Sequence, residues 1–341
     1  MPRTTVLLLF GGESSEHEVS ISSARNVYAA LDDTKFDVIL CFIDKAGKWW
    51  LLREFGMSVT THDAPQIIPV LGSACFVTIP SSHIVKPDVI LPILHGKNGE
   101  DGSVQGLAQL LHIPIVGCDM TASALCMDKL ASKQIMQASG ITIADYVAHH
   151  EGENEPDFAS LSAKLGTLMF VKPNRAGSSV GVSRVTSAEE LIVALAEAHQ
   201  HDNVVLIERG ITGREIEVAV LGNPPRHQVT RPGEILAEGT FYSYDSKYAA
   251  SSNSSVVIPA DLDEATESQI RDLASRTYAL LGCRGFARVD FFLGEDNTVY
   301  FNEINTLPGF TNISMYPKLW RQAGVSYPQL IEKLITAALD V

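Results

Sequence analysis

Two segments near the C-terminus carry polar side chains at alternate positions, Arg288-Val-Asp290 and Glu303-Ile-Asn305. Residues two apart on a strand point to the same face, so each segment presents its two polar side chains together. A turn at residues 294–297 makes the segments a hairpin and sets the pairs side by side. Carboxylate and amide oxygens are hard ligands that suit Mg²⁺ bridged to phosphates. The cluster predicts a metal site, and the alternative is a solvent-facing sheet with salt bridges.

A glycine- and serine-rich segment, residues 173–181, follows a strand-like segment that ends at Lys172. Glycine has no Cβ, so backbone N–H groups in such a loop can approach phosphate oxygens closely. The pattern Gly-x-x-x-x-Gly-Lys-Ser/Thr occurs nowhere, which excludes a Walker A loop. The segment indicates either phosphate binding of another kind or the tip of an ordinary hairpin.

Other charged residues stand where predicted strands end or helices begin. Glu16 ends a loop after an apolar run, where it can pair with a substrate ammonium or favour the N-terminus of the next helix. His95 follows another apolar run and is either a site residue or a structural hydrogen-bonding partner. Taken alone, Glu208 and Glu215 are compatible with surface positions, and Lys129 lies in a helical segment where lysine is usually solvated.

The first third of the chain alternates strand-like and helix-like segments, which predicts a parallel sheet covered by helices. Ligands of such sheets bind beyond the carboxyl ends of the strands, so the loops at 11–16 and 95–101 are the expected substrate positions. The predicted strands of this part are 6–10, 36–43, 89–94 and 113–116, and the predicted helices begin after residue 16 and at residues 101 and 121.

The rest of the chain mixes both kinds of element. The helix from 121 is expected to run to Ser139 and to end at Gly140, a typical C-terminal cap. A polar segment at 243–255 has no clear periodicity and is a candidate lid. The predicted strands are 168–172, 204–208, 215–221, 288–293 and 298–304, and the predicted helices are 188–198, 264–281 and 328–339.

Composition and net charge limit the kinds of protein that this chain can be. The chain has 341 residues, 45% of them hydrophobic and 19% charged, which predicts a globular protein of two or three domains. The formal net charge of −14 makes nucleic acid or an anionic membrane surface an unsuitable main partner. Neither a Gly-x-Ser-x-Gly elbow nor a His-Glu-x-x-His helix is present, so the motifs of serine hydrolases and zinc proteases are missing.

Cysteine usage and hydropathy indicate the compartment. The five cysteines are an odd number and contain no Cys-x-x-Cys pair, which fits reduced thiols. No signal-peptide pattern and no apolar run near 18 residues is found. We therefore expect a soluble cytoplasmic protein.

Together these segments resemble the D-alanine–D-alanine ligases, a family of the ATP-grasp superfamily, over nearly the whole chain. Each motif is moderately specific, but their order is hard to obtain by chance. The motifs are GGESSEHEVS at 11–20, HGKNGEDGS at 95–103, MDK at 127–129, KPNRAGSSVG at 172–181, FYSYDSKY at 241–248, RVD at 288–290 and EINTLPG at 303–309.

The resemblance implies an α/β fold that becomes α+β in its C-terminal part. A Rossmann-like parallel sheet forms an N-terminal substrate domain over residues 1–120, and a two-lobed ATP-grasp module follows. The central lobe is expected at 121–212, and the C-terminal lobe at 213–341 with the metal site and a lid loop at 241–259.

The resemblance also implies site residues. Glu16 would hold the ammonium of the first D-alanine, and Ser178 and Tyr248 would link to it and close the lid. Arg288 and the N–H of Gly309 would stabilise developing negative charge. The residues implied for ATP are Lys129, Lys172, Ser178, Glu208, Arg209, Ile211, Glu215, Tyr242 and Lys247. Those for the D-alanines are Glu16, His95, Ser314 and Met315, and those for two Mg²⁺ or Mn²⁺ ions are Asp290, Glu303 and Asn305.

The implied activity is ATP-dependent joining of two D-alanines through a D-alanyl phosphate for peptidoglycan precursors, by a homodimer. One rival is a ligase of the same superfamily that takes D-serine or D-lactate second. Relatives that make the D-lactate ester carry another residue at Tyr248, so tyrosine favours a dipeptide product. The other rival is a nucleotide-binding regulator without chemistry, against which the complete set of acids and Arg288 argues.

Overall fold

The computed structural model describes residues 2–56, 59–236, 255–311 and 314–340. The predicted site residues Tyr242, Lys247 and Tyr248, and residues 241–254 of the expected lid, lie outside this description. In the described part of the chain the strands form three sheets, which follow one another along the sequence.

The first sheet is mixed, with the strand order β6-β5-β4-β3-β2-β1-β7. Strand β1 pairs in parallel with β2 and β7, as the βαβ pattern predicts, whereas β3 to β6 are antiparallel. The predicted parallel sheet is confirmed for β2, β1 and β7, and the antiparallel strands β3 to β6 extend it, three of their four links being only four or five residues long. The strands are β1 Thr4–Gly11, β2 Phe36–Ile43, β3 Trp49–Leu52, β4 Gln66–Val70, β5 Cys75–Ile79, β6 Ile84–Val85 and β7 Val89–Ile93.

Helices α1 (His17–Ala30) and α2 (Ser103–Leu111) follow β1 and β7. The loops that precede them leave the carboxyl ends of neighbouring parallel strands, and so they meet at one edge of the sheet. Residues 113–116 form an isolated bridge between Ile90 and Ile115 instead of the predicted strand.

The helix predicted over 121–139 is two helices, α3 (Met120–Met127) and α4 (Lys129–Ala138). Asp128 between them has an extended conformation, and its carboxylate accepts a hydrogen bond from the backbone N–H of Ala131 at 2.9 Å. Such N-terminal capping satisfies a backbone donor that the helix leaves unpaired. Apolar periodicity continues through the break, which is why the sequence pattern does not show it. The break places Lys129 at the first turn of α4.

The second sheet is antiparallel, with the order β10-β9-β11-β8. Strand β9 ends at the glycine- and serine-rich loop, and helices α5 and α6 bury Leu161 and Leu191 against this sheet. The elements are β8 Tyr146–His150, α5 Phe158–Leu165, β9 Met169–Pro173, β10 Ser183–Val185, α6 Ala188–Ala198 and β11 Val204–Arg209.

The third sheet is also antiparallel, with the order β15-β14-β12-β16-β17 and β13 beside β12. Strand β15 takes up residues 255–257, which the sequence placed in the lid. The strands are β12 Gly213–Leu221, β13 Gln228–Val229, β14 Gly233–Leu236, β15 Ser255–Val257, β16 Phe286–Gly294 and β17 Val299–Asn305. The helices after β15 are α7 Glu264–Leu280, α8 Met315–Gln322 and α9 Tyr327–Leu339.

One apolar cluster joins the first and last parts of the chain. Phe10 of β1 lies in the same buried cluster as Phe310, Tyr316 and Trp320, together with Leu330 of α9. This packing fixes the first sheet against the third sheet and the last two helices. In the ranges that the structure describes, no helix is long and apolar enough to cross a membrane.

Candidate active site

A row of three carboxylates crosses the third sheet. Glu217 of β12 pairs in register with Asp290 of β16, and Asp290 pairs with Glu303 of β17. Directly opposed residues of antiparallel strands share a face, and like charges placed there repel each other. The next row places Arg288 opposite Asn305 on the same face. The predicted cluster is thus assembled as the alternation suggested, and a register shift follows it at Asp290, where bulges often mark sites.

Arg288 neutralises part of this row. Its Nε and Nη2 donate to the two carboxylate oxygens of Asp290, both at 2.7 Å, and Nε lies 3.1 Å from Oε2 of Glu217. Burial disfavours the cation, but the adjacent Asp290 and Glu217 outweigh it and raise the pKa of Arg288 well above its ordinary value. The guanidinium is therefore a permanent positive charge in the site.

Lys129 connects the row to the second sheet. Its Nζ lies 3.6 Å from Oε2 of Glu303 and donates to the backbone carbonyl of Ala176 at 2.7 Å. The side chain is buried, which excludes the solvated position that a helical lysine usually has. Since Ala176 belongs to the glycine- and serine-rich loop, Lys129 holds this loop beside the carboxylates.

A second buried charge cluster lies under that loop. Nζ of Lys172 is 2.6 Å from Oε2 of Glu208, and Nζ of Lys133 is 3.1 Å from its Oε1. Burial raises the pKa of Glu208, but the two lysines lower it more and the net direction is down. Burial lowers the pKa of Lys133 to about 8. Glu208 is therefore not a surface acid, and Lys133 is a site residue that the sequence analysis missed.

The remaining residues expected at ATP lie near the end of β11. Arg209 is exposed and ends β11, Ile211 lies in the turn to β12, and Glu215 is half-buried on β12 opposite Phe292 of β16. They border the cluster of Glu208 along one chain segment, and their contacts with a nucleotide stay a prediction.

Ser178 joins the loop to the first sheet. Its Oγ donates to Oε1 of Glu16 at 2.6 Å. Ser178 and Ser179 have φ values of 51° and 59°, in the left-handed region that non-glycine residues rarely adopt outside functional sites. Arg175 anchors the loop through hydrogen bonds to both carboxylate oxygens of Asp202. The loop is therefore held in a special conformation, unlike an ordinary hairpin tip.

Glu16 and His95 meet on the first sheet beside a second acid, Glu100. Glu16 is the N-cap residue of α1 but makes no capping hydrogen bond with its side chain, which is buried. Nδ1 of His95 lies 4.0 Å from Oε1 of Glu100, and Oε2 of Glu100 accepts a hydrogen bond from the N–H of Gly96 at 3.0 Å. Burial lowers the pKa of His95 although Glu16 opposes this.

Glu100 had no assigned role in the sequence analysis, although it lies in a quoted motif. Burial, and then the neighbouring charge of Glu16, raise its pKa to about 8. A neutral carboxyl group beside Glu16 limits the negative charge of this pocket. Sequence alone offered no signal, because a glutamate in a polar loop is usually exposed.

Glu100→Gln should reduce the loss of stability as the pH rises from the ordinary glutamate pKa of about 4.3 to about 8. Between the ordinary glutamate pKa of about 4.3 and about 8, the unfolded chain releases a proton that the folded chain keeps. Each pH unit in this window then lowers the free energy of unfolding by about 1.4 kcal/mol, and the whole contribution is lost above the folded pKa. Urea denaturation at pH 6, 7 and 8 measures this slope.

The free energy of unfolding of Glu100→Gln should fall less steeply with pH than that of wild type. The exposed Glu151 provides the control, because Glu151→Gln should keep the wild-type slope. Equal slopes in wild type and Glu100→Gln would show that Glu100 is not a buried neutral acid.

The segment after β17 carries the last predicted residues. Oγ of Ser314 accepts from the N–H of Thr311 at 3.1 Å, and a Cβ built on Gly309 would lie 2.9 Å from this Oγ. Gly309 and Ser314 are therefore close in space. Met315 is buried in the apolar cluster of α8, with its sulfur against Gly233, so its role as a substrate contact stays a prediction.

The donors present fit a hard divalent cation. Asp290, Glu303 and Asn305 offer only oxygen atoms from adjacent rows of two paired strands. Both carboxylates are already stabilised by cations of the chain, Asp290 by Arg288 and Glu303 by Lys129. In the described ranges no group of three or more His, Cys, Asp and Glu residues is arranged to hold a metal, so the amide of Asn305 is needed as third donor.

Comparisons with known proteins identify the family of the chain. The family profiles "D-ala D-ala ligase N-terminus" and "D-ala D-ala ligase C-terminus" match residues 5–118 and 135–336. D-alanine–D-alanine ligase A of Escherichia coli is 43% identical over 353 residues, which cover 100% of this chain and 97% of that protein.

Two solved structures are similar over the whole chain. The D-alanine–D-alanine ligase of Coxiella burnetii has a TM-score of 0.88 at 34% identity, covering 99% of this chain and 96% of that one. The VanG D-Ala:D-Ser ligase of Enterococcus faecalis has a TM-score of 0.88 at 36% identity, covering 99% and 100%. The fold is the ATP-grasp fold of these enzymes, and the chain belongs to the D-alanine–D-alanine ligase family.

Proposed function

We propose that this protein is a ligase that joins two D-alanines at the expense of ATP, through a D-alanyl phosphate. The hydrogen bond from Ser178 to Glu16 carries this proposal. It places a carboxylate suited to an amino-acid ammonium directly beside a loop suited to phosphates. A site that activates an amino-acid carboxylate with ATP needs these two subsites in contact, because the carboxylate oxygen must reach the γ-phosphorus.

In the first step a carboxylate oxygen of D-alanine forms a bond to the γ-phosphorus, and the bond to the ADP oxygen breaks. Such transfer depends on positioning and on neutralising charge. Lys129 and Lys172 supply positive charge at the loop, and Glu208 fixes the position of Lys172. Asp290, Glu303 and Asn305 would hold Mg²⁺ or Mn²⁺, two ions per site, which neutralise charge on the transferring phosphoryl group.

In the second step the neutral amine of the second D-alanine attacks the acyl carbon. A C–N bond forms to give a tetrahedral oxyanion, the bond between the acyl carbon and the phosphate oxygen breaks, and a proton of the amine leaves with the phosphate. Arg288 and the N–H of Gly309 stabilise this oxyanion, because fixed donors in a buried site cost little reorganisation. Glu16 and His95 orient the first D-alanine, while Ser314 and Met315 form the subsite of the second. We infer that Tyr242, Lys247 and Tyr248 also belong to the site.

The wider setting belongs to the same proposal. We infer lobes at 1–120, 121–212 and 213–341, a homodimer, and a cytoplasmic location, where ATP is available. The free, buried state of all five cysteines is consistent with a reducing compartment.

A second candidate takes D-serine in place of the second D-alanine, because a solved relative of 36% identity is a D-Ala:D-Ser ligase. ADP formation with Mg²⁺ and ATP, followed by mass spectrometry of the product, separates the two. D-alanine alone should give the dipeptide, and added D-serine or D-lactate at pH 7 should give little mixed product. A predominant D-alanyl-D-serine product would favour the second candidate, and ADP formation independent of D-alanine would contradict both.

A further inference from the structure

Arg288 has two carboxylate partners, of which the proposed metal site needs one. Both oxygens of Asp290 accept hydrogen bonds from the guanidinium. A divalent cation on Asp290 would bind the same carboxylate oxygens and repel the guanidinium, which weakens these hydrogen bonds. A buried guanidinium that loses its carboxylate partner is costly, so the site needs another acceptor.

Glu217 is placed to be that acceptor. It lies directly opposite Asp290 in the β12–β16 register, and its Oε2 is 3.1 Å from Nε of Arg288. Side-chain exposures of 9% for Glu217, 12% for Asp290 and 17% for Arg288 show that water does not replace a lost partner. The planar guanidinium has five donors, so it can move its hydrogen bonds from one carboxylate to the other with little displacement.

Glu217 also lies on the far side of Asp290 from the proposed cation. The order across the sheet is Glu217, Asp290, Glu303, and the expected ligand Asn305 shares β17 with Glu303. A cation between Asp290 and Glu303 therefore repels Arg288 towards β12, where Glu217 stands.

We propose that Glu217 is a positioning residue that holds Arg288 when Asp290 binds the divalent cation. This inference rests on the proposed function, in which Asp290 is a metal ligand and Arg288 faces the oxyanion. Glu217 keeps the guanidinium oriented and in the site through the metal-bound state. It touches neither nucleotide nor substrate and acts through Arg288.

Direct Mn²⁺ binding tests this inference, with electron paramagnetic resonance of free Mn²⁺ in the presence of ADP. Glu217→Gln should weaken apparent Mn²⁺ affinity by about tenfold or more, because the change removes the β12 carboxylate that pairs with Arg288 and leaves the guanidinium on Asp290. Glu234→Gln is the matched control. Glu234 is a buried carboxylate of the same sheet that pairs with Arg214 at 2.6 Å, and its loss should leave Mn²⁺ affinity unchanged.

A double-mutant cycle separates this role from the simple loss of a negative charge. With Arg288→Met in the background, Glu217→Gln should change Mn²⁺ affinity by about twofold or less, since no guanidinium competes for Asp290. A tenfold effect in both backgrounds would overturn the inference, because Glu217 would then act on the cation without Arg288.

The wild-type enzyme offers a measurement that does not depend on whether a variant folds. In a crystal structure with ADP and Mn²⁺, Arg288 should be hydrogen-bonded to Glu217 and no longer bidentate on Asp290. Retention of the bidentate pair with Mn²⁺ bound, or Mn²⁺ bound without Asp290, would overturn the inference. Failure of the proposed function would instead appear as wild-type ADP formation that D-alanine does not stimulate.

Discussion

Glu303→Gln is expected to lower turnover about a hundredfold or more at ordinary Mg²⁺, since a neutral amide replaces a carboxylate that we propose as a metal ligand. The same change removes the anionic partner of Lys129, which lies 3.6 Å away and holds the phosphate loop. Both consequences should impair the positioning of ATP, although glutamine keeps the size of the glutamate side chain. The measurement is the initial rate of D-alanine-dependent ADP formation at saturating ATP, over a range of Mg²⁺ concentrations.

A higher Mg²⁺ concentration should recover part of the lost rate, because weakened affinity is opposed by mass action. Glu295→Gln is the matched control, since Glu295 is exposed in the turn of the same β16–β17 hairpin and should behave as wild type. An unchanged rate and Mg²⁺ dependence in Glu303→Gln would remove this residue from the metal site.

Arg288→Met is expected to have two separable effects. Turnover should fall about 10²- to 10³-fold, the usual result of removing one donor from an oxyanion site. In EDTA the free energy of unfolding should also fall by about 3–5 kcal/mol, because Asp290 and Glu217 are left buried without their cation. Denaturation by urea, followed by circular dichroism, measures this second effect.

Added Mg²⁺ should restore part of the stability of Arg288→Met, since a divalent cation can neutralise the same carboxylates. Arg214→Met is the control: Arg214 pairs with Glu234 on the same sheet, away from the acidic row, and its stability loss should not respond to Mg²⁺. If Mg²⁺ does not reduce the loss of stability in Arg288→Met, a cation site at Asp290 is contradicted.

Features with a local cause followed from the sequence. The two-residue period of a strand is enough to place Arg288 with Asp290 and Glu303 with Asn305 on common faces, and the structure confirms that the pairs adjoin. The loop after Lys172 was likewise evident, because glycine and serine clusters interrupt regular structure. The break between α3 and α4 at Asp128 was not evident from the sequence. Apolar residues continue at helical spacing on both sides of Asp128, so the pattern shows no gap there.

Partnerships between distant segments arose only from packing in three dimensions. Glu217, Lys133 and Glu100 looked like ordinary polar residues, yet register sets the first opposite Asp290 and burial sets the others against Glu208 and His95. The sequence does not reveal the partner of an ionisable side chain. The protonation state of such a side chain depends on burial and on neighbours that the fold brings from elsewhere in the chain. Chemical type and local spacing were thus present in the linear chain, whereas the pairing and protonation of these charges required the assembled sheets.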